Sequence, residues 1–208
     1  MKKLPLYTFL ILTFLISIVE ATNITYISKD DGKTWSLEIG NVINNLSTKG
    51  AVDPSPILLK NNSDVSSAFE IEMKIWNIWS THPSQENLTQ LLAKGSNLIS
   101  EQKLNKAYET FSIVIGLDPN WAEGWNKRAT VLYMLGRYQE SQEDIDEVLK
   151  LEKRHFGALS GQGLVQIELK NYERAINSYK EVQKIYPSMM SPKIMIPQLK
   201  ELIKSESI

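Results

Sequence analysis

Ala122-Glu-Gly-Trp-Asn-Lys-Arg-Ala-Thr-Val-Leu-Tyr-Met-Leu-Gly-Arg-Tyr-Gln-Glu-Ser-Gln-Glu-Asp-Ile-Asp-Glu-Val-Leu-Lys-Leu-Glu-Lys-Arg-His155 reads as two helices joined at a glycine. Trp125, Ala129 and Leu132 recur at helical spacing, and so do Ser141, Ile145, Val148 and Leu149. Leu135-Gly136-Arg137 lies between them, with glycine where a helix end needs positive φ. Neighbouring stretches repeat this unit. Gly95, Ala129 and Gly163 stand 34 residues apart, as do Ala107, Ser141 and Ala175, and Phe111, Ile145 and Tyr179. Pro119 and Pro187 are two periods apart, with Lys153 between them. Such a period means stacked supersecondary units, each burying its apolar face on the next. The small columns let paired helices approach closely, and the large column is expected to pack towards the next repeat. The prolines end the second helices, because the residue before proline disfavours the helical region.

The chain has 208 residues and is 42% hydrophobic, enough for one packed domain with appendages. A net charge of −1 gives no electrostatic basis for binding nucleic acid or an anionic membrane. The absence of cysteine excludes disulfides, thiol catalysis, cysteine-linked lipid and cysteine-based zinc sites.

Residues 1–21 read as a secretory signal. Lys2 and Lys3 precede an apolar run from Leu4 to Val19, and Ala21 stands where cleavage is expected. The alternative is an uncleaved anchor, for which the run is short. Export, most naturally to a periplasm, is the expectation. Residues 22–66 form a leader and linker. Ile24, Tyr26, Trp35, Leu37 and Ile39 flank a polar turn in a β-hairpin pattern. Ser28-Lys-Asp-Asp-Gly-Lys-Thr-Trp35 also resembles the Asp-box turn of sialidase-like propellers, but a propeller needs several blades.

Residues 67–81 predict a helix with apolar residues on two sides: Ala68, Ile71, Ile75, Ile78 and Trp79, with Phe69, Met73 and Trp76 beside them. Shifted by 36 residues, Ile75 falls on Phe111 and Pro83 on Pro119. This helix is expected to be the second helix of a degenerate leading repeat that caps the array. Repeats follow at 88–121, 122–155 and 156–189. Residues 190–206 close the array with Ile196, Leu199, Leu202 and Ile203 on one stripe, and Pro197 is expected to kink or restart that helix.

The columns resemble the tetratricopeptide-repeat (TPR) pattern. Its small positions are Gly95, Ala129, Gly163 and Ala107, Ser141, Ala175; its prolines are Pro119 and Pro187; its favoured tryptophan is Trp125. Ser141, Lys153 and Arg128 depart from the usual residues; Arg128 calls for a carboxylate partner, Asp144 or Asp146. Ala122–Thr130 and Arg154–Gly161 are similar to short exported bacterial proteins of this family. The resemblance implies an all-α, right-handed helical solenoid that binds a protein or peptide partner in a concave groove. It places Leu92, Ser96, Ile99, Glu123, Asn126, Thr130, Tyr133, Ser160, Leu164 and Ile167 in the groove, and Trp121, Arg154 and His155 at its rim. Leu92, Ile99 and Leu164 have a second reading, as residues covered by the capping helices, and Trp121 as core. The dicarboxylate clamp of chaperone-binding relatives needs more Lys and Asn than the Asn126 and Lys127 present here. An extended or helical peptide held by aliphatic contacts and the Asn126 amide fits better.

No catalytic motif occurs. His82 precedes a proline at a helix end, and His155 follows Lys153-Arg154 at a helix C-terminus, so capping accounts for both. Asp144, Asp146 and Glu147 read as a solvated helix face. The expectation is a non-catalytic scaffold without metal, cofactor or small-molecule substrate. A self-associating structural protein and a glycan-related protein built on the Asp-box are the alternatives.

Overall fold

The computed structural model describes residues 59–60 and 65–206. The expected signal segment, hairpin and most of the linker lie outside the described residues. Within them are eight α-helices and no strand. These are α1 Val65–Ser80, α2 Glu86–Ser100, α3 Leu104–Leu117, α4 Ala122–Met134, α5 Tyr138–Leu151, α6 Phe156–Glu168, α7 Tyr172–Ile185 and α8 Met190–Glu206. No helix among the described residues is long and apolar enough to cross a membrane.

Helix ends follow the 34-residue period. The second helices α3, α5 and α7 stop at Leu117, Leu151 and Ile185, each followed by a residue that leaves the helical region, Asp118, Glu152 or Tyr186. Proline follows Asp118 and Tyr186 and enforces that geometry. Lys153 follows Glu152, and the same turn forms without proline. The first helices end in a left-handed residue at Gln102 (φ 59°), Gly136 (φ 74°) and Lys170 (φ 60°). In each, the next residue donates its N–H to a carbonyl five residues back, as Lys103 to Leu98, Arg137 to Leu132 and Asn171 to Gln166. These are Schellman ends, and only one carries the residue that adopts positive φ without strain. Lys170→Gly is therefore expected to raise the unfolding free energy by about 1 kcal/mol, and Gly136→Ala to lower it by a similar amount, both read by urea titration.

Packing gives the large column a second role. A Cβ on Gly95 would lie 2.4 Å from Phe111 Cε1, and one on Gly163 would lie 2.6 Å from Tyr179 Cζ. The rings enter the small column of their own repeat, and the large column also meets the next unit: Phe111 shares a core with Val131, Ile145 with Ala158 and Val165, and Tyr179 with Met195 and Leu199. In the middle repeat, Ala129 faces the slimmer Ile145 in the same core. Ser141 stands where Ala is usual, and its hydroxyl donates to the Ala129 carbonyl at 2.8 Å. Arg128 takes Asp144, with Nε and Nη2 both 2.8 Å from its carboxylate oxygens, while Asp146 accepts from Gln142. Asp144 is thus buried and paired, not part of a solvated face.

The two ends of the array are closed differently. Helix α8 runs unbroken through Pro197 and sets Met195 and Leu199 against Ala175, Ile176 and Tyr179 of α7. Helix α1 does not pair with α2 as a leading repeat would. Ile71, Ile75 and Trp76 instead join Phe156, Leu159, Val182 and Tyr186 in one core, two repeats further on. Flat, bulky side chains decide this placement: Trp76 needs a deep notch, and α6 supplies one at Gly157.

Candidate functional site

The first helices α2, α4 and α6 line one face of the array, and α1 lies across the N-terminal ends of α4 and α6. A Cβ on Gly157 would sit 2.4 Å from Trp76 Cη2, so only glycine admits the ring there. The Trp79 ring stacks on His155 with centroids 4.1 Å apart and planes 17° from parallel. Trp121 donates its indole N–H to the Trp79 carbonyl at 2.9 Å. Tyr186 donates its hydroxyl to Glu72 at 2.8 Å, joining residues far apart in sequence. Burial pushes the Glu72 carboxyl up, although the Tyr186 and Trp76 hydrogen bonds oppose the shift.

Beneath α1 lies a buried polar cluster. Glu123, Lys127 and His155 are only 1%, 3% and 0% exposed. Glu123 stands in the first turn of α4, where the helix dipole favours an anion. Its Oε2 accepts from His155 Nε2 at 3.1 Å and from the Asn126 amide at 3.1 Å. Its Oε1 has no hydrogen bond and is held by the charge of Lys127 Nζ at 3.3 Å. Lys127 Nζ in turn stands over the Trp76 ring at 5.8 Å. Burial alone would raise the Glu123 carboxyl. The Lys127 charge and the His155 hydrogen bond outweigh it and hold the group below its ordinary value of 4.5.

Both histidines work at the start of the following helix rather than at the end of the preceding one. His155 Nδ1 accepts the Ala158 N–H at 3.0 Å, which leaves the ring proton on Nε2 to donate to Glu123. His82 repeats the arrangement. Its Nδ1 accepts N–H groups of Ser84 and Gln85, and its Nε2 faces Asp118 at 2.9 Å. That hydrogen bond holds the Asp118 carboxyl low.

The structure thus brings together three of the expected site residues, Glu123, Asn126 and His155, and places Trp121 beside them. Their polar groups are engaged within the chain. Leu92 and Ile99 lie in the apolar core with Phe111, and the Ser96 hydroxyl is spent on the Leu92 carbonyl. Ser160 is buried against Met189. Arg154 makes a fork with Glu152. Farther along the groove, Thr130, Tyr133, Leu164 and Ile167 are half-buried. Tyr133 leans on Tyr138 and reaches Glu168 at 3.4 Å. Sequence reasoning missed the site roles of Glu72, Trp76, Trp79, Lys127 and Tyr186. Two signals were present: a helix with two apolar sides, and a Glu-x-x-x-Lys pair that starts at the groove residue Glu123. Among the described residues no three His, Asp or Glu side chains group as metal ligands.

Glu123 sets a pH dependence. Its folded value is depressed, so its contribution to stability is complete above about pH 4.5 and is lost as pH falls through the folded value. Glu123→Gln is expected to flatten the acid limb of unfolding free energy against pH below 4.5. Glu72, raised by burial, has the opposite sign, so Glu72→Gln should remove a penalty present above its titration.

Sequence models of the Tetratricopeptide repeat match residues 122–155 and 157–189. A TPR repeat-containing protein of Rhizobium etli is 31% identical over 143 residues, covering 69% of this chain and 70% of that protein. Hsp70-Hsp90 organizing protein 3 of Arabidopsis thaliana is 29% identical over 88 residues, 42% of this chain but only 16% of that protein. Among solved structures, the Arabidopsis OM64 TPR domain superposes with TM-score 0.54 at 21% identity, covering 56% of this chain and 96% of that domain. The first TPR of Spaghetti (RPAP3), bound to an HSP90 peptide, gives TM-score 0.55 at 18% identity over 56% of this chain and 93% of its own. With the repeat geometry and the matched segments in agreement, this chain belongs to the tetratricopeptide-repeat family.

Proposed function

We propose that this protein is an exported, non-catalytic scaffold that binds a partner protein on the concave face of its repeat array. The observation that carries the reading is the seating of α1 on that face: the array already holds one helix there through a notch, a ring stack and two hydrogen bonds. Stacked repeats present such extended concave surfaces for binding. The uncovered continuation of the groove, with Thr130, Tyr133 and Leu164, gives a partner further contact. The HSP90 peptide of the neighbouring structure is an acidic ligand, and a like mode is disfavoured here. Lys127 and Asn126 are already committed to Glu123.

The test is affinity capture with the chain from an envelope extract at low and high salt, comparing wild type with Tyr133→Ala/Leu164→Ala. The reading predicts a prey that survives salt and is lost in the variant. Equal capture by both would overturn the groove assignment. Export rests on the apolar run behind Lys2 and Lys3, and a secreted chain beginning at Thr22 is the expected result of N-terminal sequencing.

A further inference from the structure

We infer that α1 is a staple that closes the repeat array on itself, so that the first and last repeats unfold together. A partner in the groove is not needed for this. In a linear stack each repeat touches only its neighbours, and an end unit opens without the other end. Phe111 of α3 meets Val131 of α4, and Ile145 of α5 meets Ala158 and Val165 of α6; such contacts alone leave two free ends. Helix α1 adds the contact that makes a ring. Its Glu72 accepts the Tyr186 hydroxyl across 114 residues of sequence.

The staple grips all three repeats. On the first, the turn after α1 is fixed at His82. Its backbone N–H donates to the Thr89 hydroxyl at 2.9 Å, and its Nε2 faces Asp118, just past α3, at 2.9 Å. At the junction with the second repeat, Trp121 donates to the Trp79 carbonyl and stands perpendicular to the His82 ring, centroids 5.0 Å apart. At the junction with the third, Trp79 stacks on His155, and just inside it Trp76 fills the Gly157 notch. Ala68, Ile71 and Ile75, with Leu59 ahead of them, share one core with Phe156, Leu159, Val182 and Tyr186. Leu59, Ala68 and Ile75 are fully buried, and a large apolar interface of this kind does not swing open. Losing the first repeat therefore exposes the last. When the first repeat unfolds, Asp118 and Thr89 release the His82 turn and Trp121 releases Trp79. The apolar core on α6 and α7 then faces water.

The experiment is hydrogen exchange on the full chain, with a lesion made at one end and read at the other. Phe111→Leu damages the core of the first repeat, which contains no residue of α1. The slowest amides of α2 and α3 should exchange at least tenfold faster than in wild type. Those of α6 and α7 should speed up by the same factor to within threefold. Where leucine is too mild to reach tenfold, Phe111→Val supplies the lesion. In a Trp76→Ala/Trp79→Ala background the notch is empty and the ring stack is gone. The same lesion should then speed α6 and α7 by less than a third of the factor seen in α2 and α3. If that background does not fold, Trp76→Leu/Trp79→Leu keeps apolar side chains there while removing both ring contacts. With the tryptophans in place, a lesion that leaves α6 and α7 behind by more than threefold would overturn the inference. A response of a third or more without them would overturn it too, by placing the coupling in the repeat stack itself. Neither result bears on capture through Tyr133 and Leu164, which tests the scaffold reading separately.

Discussion

Lys127→Ala is expected to lower the free energy of unfolding by about 3 kcal/mol, measured by urea titration at pH 7. The size comes from what is left behind. Glu123 is buried at the start of α4 and its Oε1 depends on Lys127 alone. Removing the ammonium leaves a carboxylate with one unserved oxygen beneath two tryptophans. An exposed pair three or four residues apart on a helix contributes a few tenths of a kcal/mol. Lys150 with Glu147 and Lys184 with Glu181 are such exposed pairs, and their removal should fall in that small range. The buried pair should also be non-additive. Glu123→Gln/Lys127→Ala should recover at least half of the loss, because it removes the stranded charge along with its partner. A Lys127→Ala effect below about 1 kcal/mol would show that the cluster is hydrated in solution.

Phe111→Ala is expected to cost about 4 kcal/mol, the typical loss for a fully buried ring. Phe111 is fully buried among Leu88, Leu92, Val114 and Val131, and its edge fills the space left by Gly95. That contact gives a second, sharper expectation. In wild type, Gly95→Ala sets a methyl 2.4 Å from the ring, and overpacking of this kind costs about 2 kcal/mol. In the Phe111→Ala background the collision is gone. The methyl then fills part of the cavity and the helix gains the propensity of alanine, so the same substitution should stabilise by about 1 kcal/mol. A reversal of sign between the two backgrounds, seen in denaturant midpoints, is specific to this ring-into-notch packing.

The repeat was legible because one period governs several independent demands at once: close approach at Gly95 and Gly163, large rings at Phe111 and Tyr179, and helix ends near Pro119 and Pro187. Positive φ at Gln102 and Lys170 was not legible, because neither residue type signals it; only their distance from Gly136 does. That the rings of the large column also fill the notches of their own repeat was hidden. Spacing gives the face of a helix but not which of two neighbours it meets. The site was harder still. Groove positions located Glu123, Asn126 and His155, yet a sequence does not say that a helix from the same chain will sit on them. The apolar pattern of α1 fits either edge capping or groove filling. Trp76 and Gly157, far apart in sequence, decide between them through a shape match that only the folded chain displays.

The central claim is that α1 lies across the array and reaches α7, and Glu72 with Tyr186 test it most directly. A double-mutant cycle of Glu72→Ala and Tyr186→Phe, measured by urea unfolding at pH 7, isolates their hydrogen bond. With α1 seated as described, the cycle should give a coupling of about 1 kcal/mol. Strictly additive losses would mean that α1 is not on this face in solution, and would contradict the account.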